Sequence, residues 1–142
     1  MTIGNTFETE LATLIFNASS IVNIAVNATT APLTALAVSL HTADPGEAGT
    51  MSTNETTYGA YTRIGVTRDG TGWTVTNNSV SPSTNITFAA ATSGTATITH
   101  AAIGVSTTGA AKILFSGAVT PNISVSAGVT PRLTTASTIV LS

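Results

Sequence analysis

Residues 61–76 run Tyr61-Thr62-Arg63-Ile64-Gly65-Val66-Thr67-Arg68-Asp69-Gly70-Thr71-Gly72-Trp73-Thr74-Val75-Thr76. Two short β-prone runs flank Asp69-Gly70, and Asp-Gly is a strong hairpin signal because both residues tolerate positive φ. Successive side chains on a strand point to opposite faces. Tyr61, Arg63, Gly65 and Thr67 therefore share one face, and Ile64 and Val66 the other. Trp73 and Val75 share a face on the returning run. A strand over 61–67, a hairpin turn at 68–71 and a strand over 72–76 are expected, with Asn77-Asn78 turning the chain again.

The same grammar continues on both sides. Leu33 to His41 alternates, with Leu36, Val38 and Leu40 on one face. Ala43-Asp44-Pro45-Gly46 ends it, because Asp accepts local backbone bonds, Pro presets φ and Gly permits positive φ. Glu47 to Gly59 reads as a long polar loop. Further strands are expected at Asn85–Ala89, Ala96–Ser106, Ala111–Ser116, Val119–Val125 and Leu133–Leu141. Pro121 and Pro131 belong at strand ends or on an edge, since proline cannot donate to a ladder. Seven to nine short strands about ten residues apart predict an all-β fold, an antiparallel β-sandwich of jelly-roll type with a short N-terminal helix. No helix-length segment separates the strands, so a parallel βαβ sheet is excluded.

The helix is expected at residues 5–16. Phe7, Leu11, Leu14 and Ile15 form one apolar stripe at i, i+4, i+7 and i+8. Asn5 is placed to cap it, with Glu8 three residues on in the capping-box position. Glu8 and Glu10 sit where the helix dipole favours anions. A helix of this length is marginal alone, so the stripe must pack on the domain or on a neighbouring subunit. Residues 21–26 read as a possible short strand and 27–32 as a loop. The expected organisation is an N-terminal helix and arm over 1–32, followed by a β-sandwich domain over 33–142.

Composition narrows the function classes. Charged residues are 7% of the 142-residue chain, against about 25% in an ordinary domain. Threonine is the commonest residue, and Ala, Ser and Asn are abundant. Four basic residues, Arg63, Arg68, Lys112 and Arg132, against six acidic ones give a net charge of −2. That is no footprint for nucleic acid. The apolar run at 11–26 is broken by Asn17, Ser19, Ser20 and Asn23, so no membrane span is expected. Nor does it read as a secretion signal, because Glu8 and Glu10 stand where a basic region belongs. A neutral Thr/Ser/Asn/Ala surface suits wide contacts with other protein, where no charge must be desolvated.

Chemistry is hard to find. There is no cysteine, hence no thiolate chemistry. His41 and Asp44, three apart at a strand end, are better read as a strand-capping histidine and an aspartate making an Asx turn than as a base with its orienting carboxylate or two metal ligands, since no third ligand accompanies them. His100 reads as a sheet histidine. No nucleophile elbow, P-loop or dinucleotide fingerprint occurs. No catalytic residue, cofactor or metal is expected, and the chain is read as a non-enzyme.

At Leu40-His41-Thr42-Ala43-Asp44-Pro45-Gly46-Glu47-Ala48-Gly49, followed by Tyr58-Gly59-Ala60-Tyr61-Thr62-Arg63-Ile64, the sequence resembles a group of small tailed-bacteriophage virion proteins. Asn85-Ile86-Thr87-Phe88 looks like a further element of that group, as does Ile98 to Gly104 with Gly109 and Ile113 to Gly117. The likeness covers about residues 33–120 plus the amphipathic helix. Members are tail-fibre-like or tail proteins, and others of similar size are capsid cement (decoration) proteins. The resemblance implies a virion structural protein and offers no catalytic residues. The leading expectation is a cement protein on the capsid surface, bound to the major capsid protein and to copies of itself. A tail or tail-fibre-like protein bound to tail proteins comes second, and a carbohydrate-binding module third. Phe7, Leu11, Leu14, Ile15, Tyr58 and Tyr61 are the candidate protein-contact residues.

Overall fold

A computed structural model of the chain describes residues 5–21 and 32–141. The elements, in order, are α1 (Asn5–Asn17), β1 (Ala35–His41), β2 (Ile64–Thr67), β3 (Trp73–Thr76), β4 (Ser79–Pro82), β5 (Ile86–Thr87), β6 (Ala96–Gly104), β7 (Ile113–Val125), β8 (Arg132–Leu133) and β9 (Ile139–Val140). The fold is all-β and sandwich-like, with one short N-terminal helix. β1–β6, β6–β7, β3–β4 and β4–β9 all pair antiparallel. Of the short strand considered at 21–26, only Ile21 is among the described residues, and the Asn5 side chain also lies outside them.

Internal contacts divide the chain into two units, each drawn from separated segments. One takes the chain before Leu36, Val66–Asn85 and the chain from Leu133 onward; the other takes Leu36–Gly65 and Ile86–Arg132.

In the first unit the sheet order is β3-β4-β9. β3 and β4 form a hairpin in which Trp73 faces Pro82 and Thr76 faces Ser79, leaving Asn77-Asn78 as the two-residue loop. Asn77 has φ 55°, a conformation that asparagine tolerates better than most residues. Alternation puts Trp73, Val75, Val80 and Ile139 on one face. α1 packs on β3 and β4, with the Phe16 and Trp73 rings edge to face at 5.0 Å. The Arg68 guanidinium donates to the Leu14 and Ile15 carbonyls, which are among the carbonyls an α-helix leaves unsatisfied at its C-terminus.

The expected Asp69-Gly70 hairpin does not form. β2 joins β1, and β3 pairs with β4, a strand the sequence reading missed. Asp69 Oδ1 accepts the amides of Thr71 at 2.8 Å and Gly72 at 3.2 Å. This local turn carries the chain out of one sheet and into another. A Cβ on Gly72 would strike the Thr67 carbonyl, so the tight reversal depends on glycine.

In the second unit the four-stranded sheet has the order β2-β1-β6-β7. β1 meets β6 in the register Ala37↔Gly104 through His41↔His100. β7 runs unbroken through Pro121, where two strands were expected, and its pairing with β6 jumps from His100↔Ala118 to Ile98↔Ile123. Residues 119–122, with Pro121 among them, stand out of the ladder on an edge strand, which is where a proline is tolerated. Leu133–Leu141 holds only the two-residue strands β8 and β9 at its ends. β1 is buried on both faces. Met51 packs against Ala37 and Ala102, and so covers the face that alternation alone would have left to solvent.

Candidate functional site

Two of the chain's few charged residues, Glu55 and Arg63, meet where the 50–63 segment folds against the end of β1. Thr42 N donates to Asn54 O at 2.9 Å and Thr56 N to Leu40 O at 3.0 Å, with a bridge between His41 and Glu55. The polar loop is thus pinned to the end of β1 by an isolated bridge. Asp44 starts it with a turn: Gly46 N donates to Asp44 Oδ1 at 2.9 Å, and Gly46 has φ 71°. That is the structural role expected of Asp44.

Arg63 and Glu55 form a two-pronged pair. Nε donates to Oε1 and Nη2 to Oε2, both at 2.7 Å. Arg63 also donates to Ser106 O at 3.2 Å and Ser52 Oγ at 3.1 Å. Their side chains are only 4% and 16% exposed, so nearly every polar atom of the guanidinium is used inside the chain. The hydrogen bonds it donates to Glu55 push the Arg63 pKa further up. Tyr61 OH accepts from Leu40 N at 3.0 Å and donates to Glu55 Oε1 at 3.0 Å. Burial, above all, raises the pKa of the Tyr61 hydroxyl, which keeps it a donor. The Tyr61 ring stacks on Phe88 and meets Tyr58 edge-on at 5.3 Å. Tyr58 is buried and donates to Ala89 O at 3.1 Å.

Beneath this layer lies a closed polar pair. Ser39 Oγ and His41 Nε2 are 2.7 Å apart, and His41 Nδ1 is 2.8 Å from the Thr53 carbonyl. A carbonyl only accepts, so Nδ1 carries the proton and Nε2 accepts from the Ser39 hydroxyl. Burial lowers the His41 pKa from its ordinary 6.5, with Arg63 and His100 acting in the same direction and the Thr53 bond and Glu55 against it. The pair has the elements of a nucleophile and its base, but both residues are 0% exposed. The outer nitrogen also faces a carbonyl where a triad has a carboxylate. His100, directly across from His41, is half-buried and bonded through Nδ1 to Thr99 Oγ1 at 2.9 Å. Among the described residues no three His, Asp or Glu side chains are grouped to hold a metal ion.

At the surface this arrangement leaves an open groove of about 530 Å³, lined by Glu55, Tyr58, Tyr61 and Arg63 and rimmed by Thr57, Thr62, Thr107 and Thr108. Its charges neutralise each other, so what it offers a partner is mostly threonine hydroxyl and backbone. The two candidate tyrosines meet here. Nothing in their spacing announced Glu55, Ser39 or Met51. The available signal was an acid and a base eight residues apart on either side of two tyrosines, in a chain that has hardly any other charges.

The other candidate residues lie on α1 in the first unit. The face that packs inward is carried by Ala12 and Phe16, both 0% exposed, with Glu8 buried beside them. The stripe expected to pack is turned away from that face: Phe7 is 38% exposed, and Leu11, Leu14 and Ile15 are half-buried. Counting i, i+4 from Phe7 picked one row of the helix, whereas the row that packs inward is the adjacent Glu8, Ala12 and Phe16. Among the described residues no helix is long and apolar enough to cross a membrane.

A family model described as podophage GP4 fiber I protein gp80 matches residues 13–141. No curated protein matches the chain.

Proposed function

Since the chain belongs to the podophage GP4 fiber I protein gp80 family and is thus a phage virion structural protein, we propose that it works in the tail, as a fibre component. The family match over residues 13–141 carries this reading. It favours the tail over the capsid-cement role that headed the expectations from sequence. The structure's contribution is consistent with a passive part. His41 and Ser39 are sealed in the core, Arg63 is spent on Glu55, and the groove above them is rimmed by threonines. Such a protein acts through binding energy: many copies, each making modest contacts, add to a stable assembly. Its partners in this reading are tail proteins and further copies of itself, and it performs no catalysis.

Antibody-gold labelling of intact virions, together with fractionation of separated heads and tails, tests the assignment. Label on the tail, with the protein recovered in the tail fraction, is the expected result. Label spread over the capsid lattice would replace the fibre reading with the cement one.

A further inference from the structure

His41 and His100 are direct partners across the β1–β6 ladder. Opposed side chains in an antiparallel pair lie on one face with their Cβ atoms about 5 Å apart. The His41 ring is also the pin that fastens the 50–56 segment. Nδ1 holds the Thr53 carbonyl, the backbone at 40–42 pairs with 54–56, and Met51 is seated against Ala37 and Ala102. Gly104 leaves the space this needs, since a Cβ there would strike Met51 and the Lys112 carbonyl.

We propose that this opposed histidine pair makes the 50–56 segment an acid-released latch, closed over β1 at neutral pH and opening locally when imidazole takes up a proton. The hydrogen bonds themselves do not forbid the protonated ring. Nε2–H can donate to Ser39 Oγ, whose hydroxyl can turn to Met51 Sδ, 3.7 Å away. What opposes protonation is a cation with no access to water, facing a second imidazole from β6 and the Arg63 guanidinium. The Thr53 carbonyl and Glu55, both on the latch itself, favour the cation against this, but burial outweighs them and Arg63 already holds both oxygens of Glu55. The ring can then be hydrated only by releasing the segment bonded to it, which is a local opening and not global unfolding. The opening would uncover Met51 and the inner face of β1 and dismantle the wall of the groove.

The test is amide hydrogen exchange of the full chain at about pH 7.5 and about pH 5.5, corrected for intrinsic rates, with residues 73–82 as the internal control. Exchange in 50–56 is expected to rise severalfold in acid, while 73–82 keeps its protection. His100→Asn, at a half-buried position, removes the opposing imidazole and should shrink the rise. His41→Asn should abolish it, and if that variant does not fold, His100→Asn still decides the matter. Unchanged protection of 50–56, an equal loss in 73–82, or a His100→Asn response identical to that of the parent chain would each overturn the latch.

Discussion

Single side chains in this protein carry weight in proportion to how few of them are charged. Glu55→Gln would leave the Arg63 guanidinium buried against a neutral amide. Breaking one side of such a pair costs about 3 kcal/mol, and urea denaturation should show a loss of that order. Asp44→Asn is the contrasting case. The amide oxygen can still accept from Gly46 N, so stability should change by about 1 kcal/mol or less. His41 links stability to pH. Its folded pKa lies below the unfolded 6.5, so the unfolded chain binds the proton more readily. The contribution is complete above about pH 6.5 and is lost as pH falls from there through the lower folded value. Melting curves of the parent chain and His41→Asn should converge with acidification over that window. A gap that is constant down to pH 5 would mean that His41 does not titrate differently on folding. The inward role of Ser39 and His41 was not legible in the sequence. Alternation put them opposite Leu36, Val38 and Leu40, on a face that stays dry only because Met51, many residues on, covers it.

At the scale of elements, α1 shows what periodicity can and cannot settle. The helix lies where its pattern put it, to within one residue, because a long 3.6-residue period leaves little choice. Its buried side was misjudged because the count began at Phe7 and so followed the row beside the one carried by Ala12 and Phe16. Phe16→Ala should therefore cost about 3 to 5 kcal/mol through the cavity opened beside Trp73. Phe7→Ser should cost no more than about 0.5 kcal/mol, as at other surface sites. If the outward stripe of Phe7, Leu11 and Leu14 docks on a partner, Phe7→Ser should still weaken virion incorporation while leaving the melting temperature almost unchanged. Equal losses of stability from the two variants would refute this division of the helix. Strand existence was legible where alternation was long, as at β1 and β6. Strand partnership was not: Asp69-Gly70 has hairpin chemistry, but the sequence of a turn cannot say which sheet receives the next strand.

For the molecule as a whole, the all-β class followed from short runs separated by Gly, Pro, Asn and Asp, and that pattern survives errors in any one turn. A chain so short of Lys and Glu lacks the charges that usually guard sheet edges. The structure meets that hazard by other means: β2, β5, β8 and β9 are short, and the long edge strand β7 carries Pro121 and an irregular register at residues 119–122, devices that discourage further strand pairing. Association, where it occurs, should rest on neutral faces. Self-association followed by sedimentation should accordingly vary by less than about threefold in affinity as salt rises, because screening has few exposed charges to act on. A change of several decades would point to ionic contacts. The interleaving of the two units bears on how the protein is made. The Leu36–Gly65 and Ile86–Arg132 segments are complete once residue 132 has been translated, whereas the β3-β4-β9 sheet lacks its last strand until Ile139–Val140 has left the ribosome. A nascent chain whose residue 132 has cleared the ribosome can already hold the arginine–glutamate pair and its groove, while the helix-bearing unit still waits for β9.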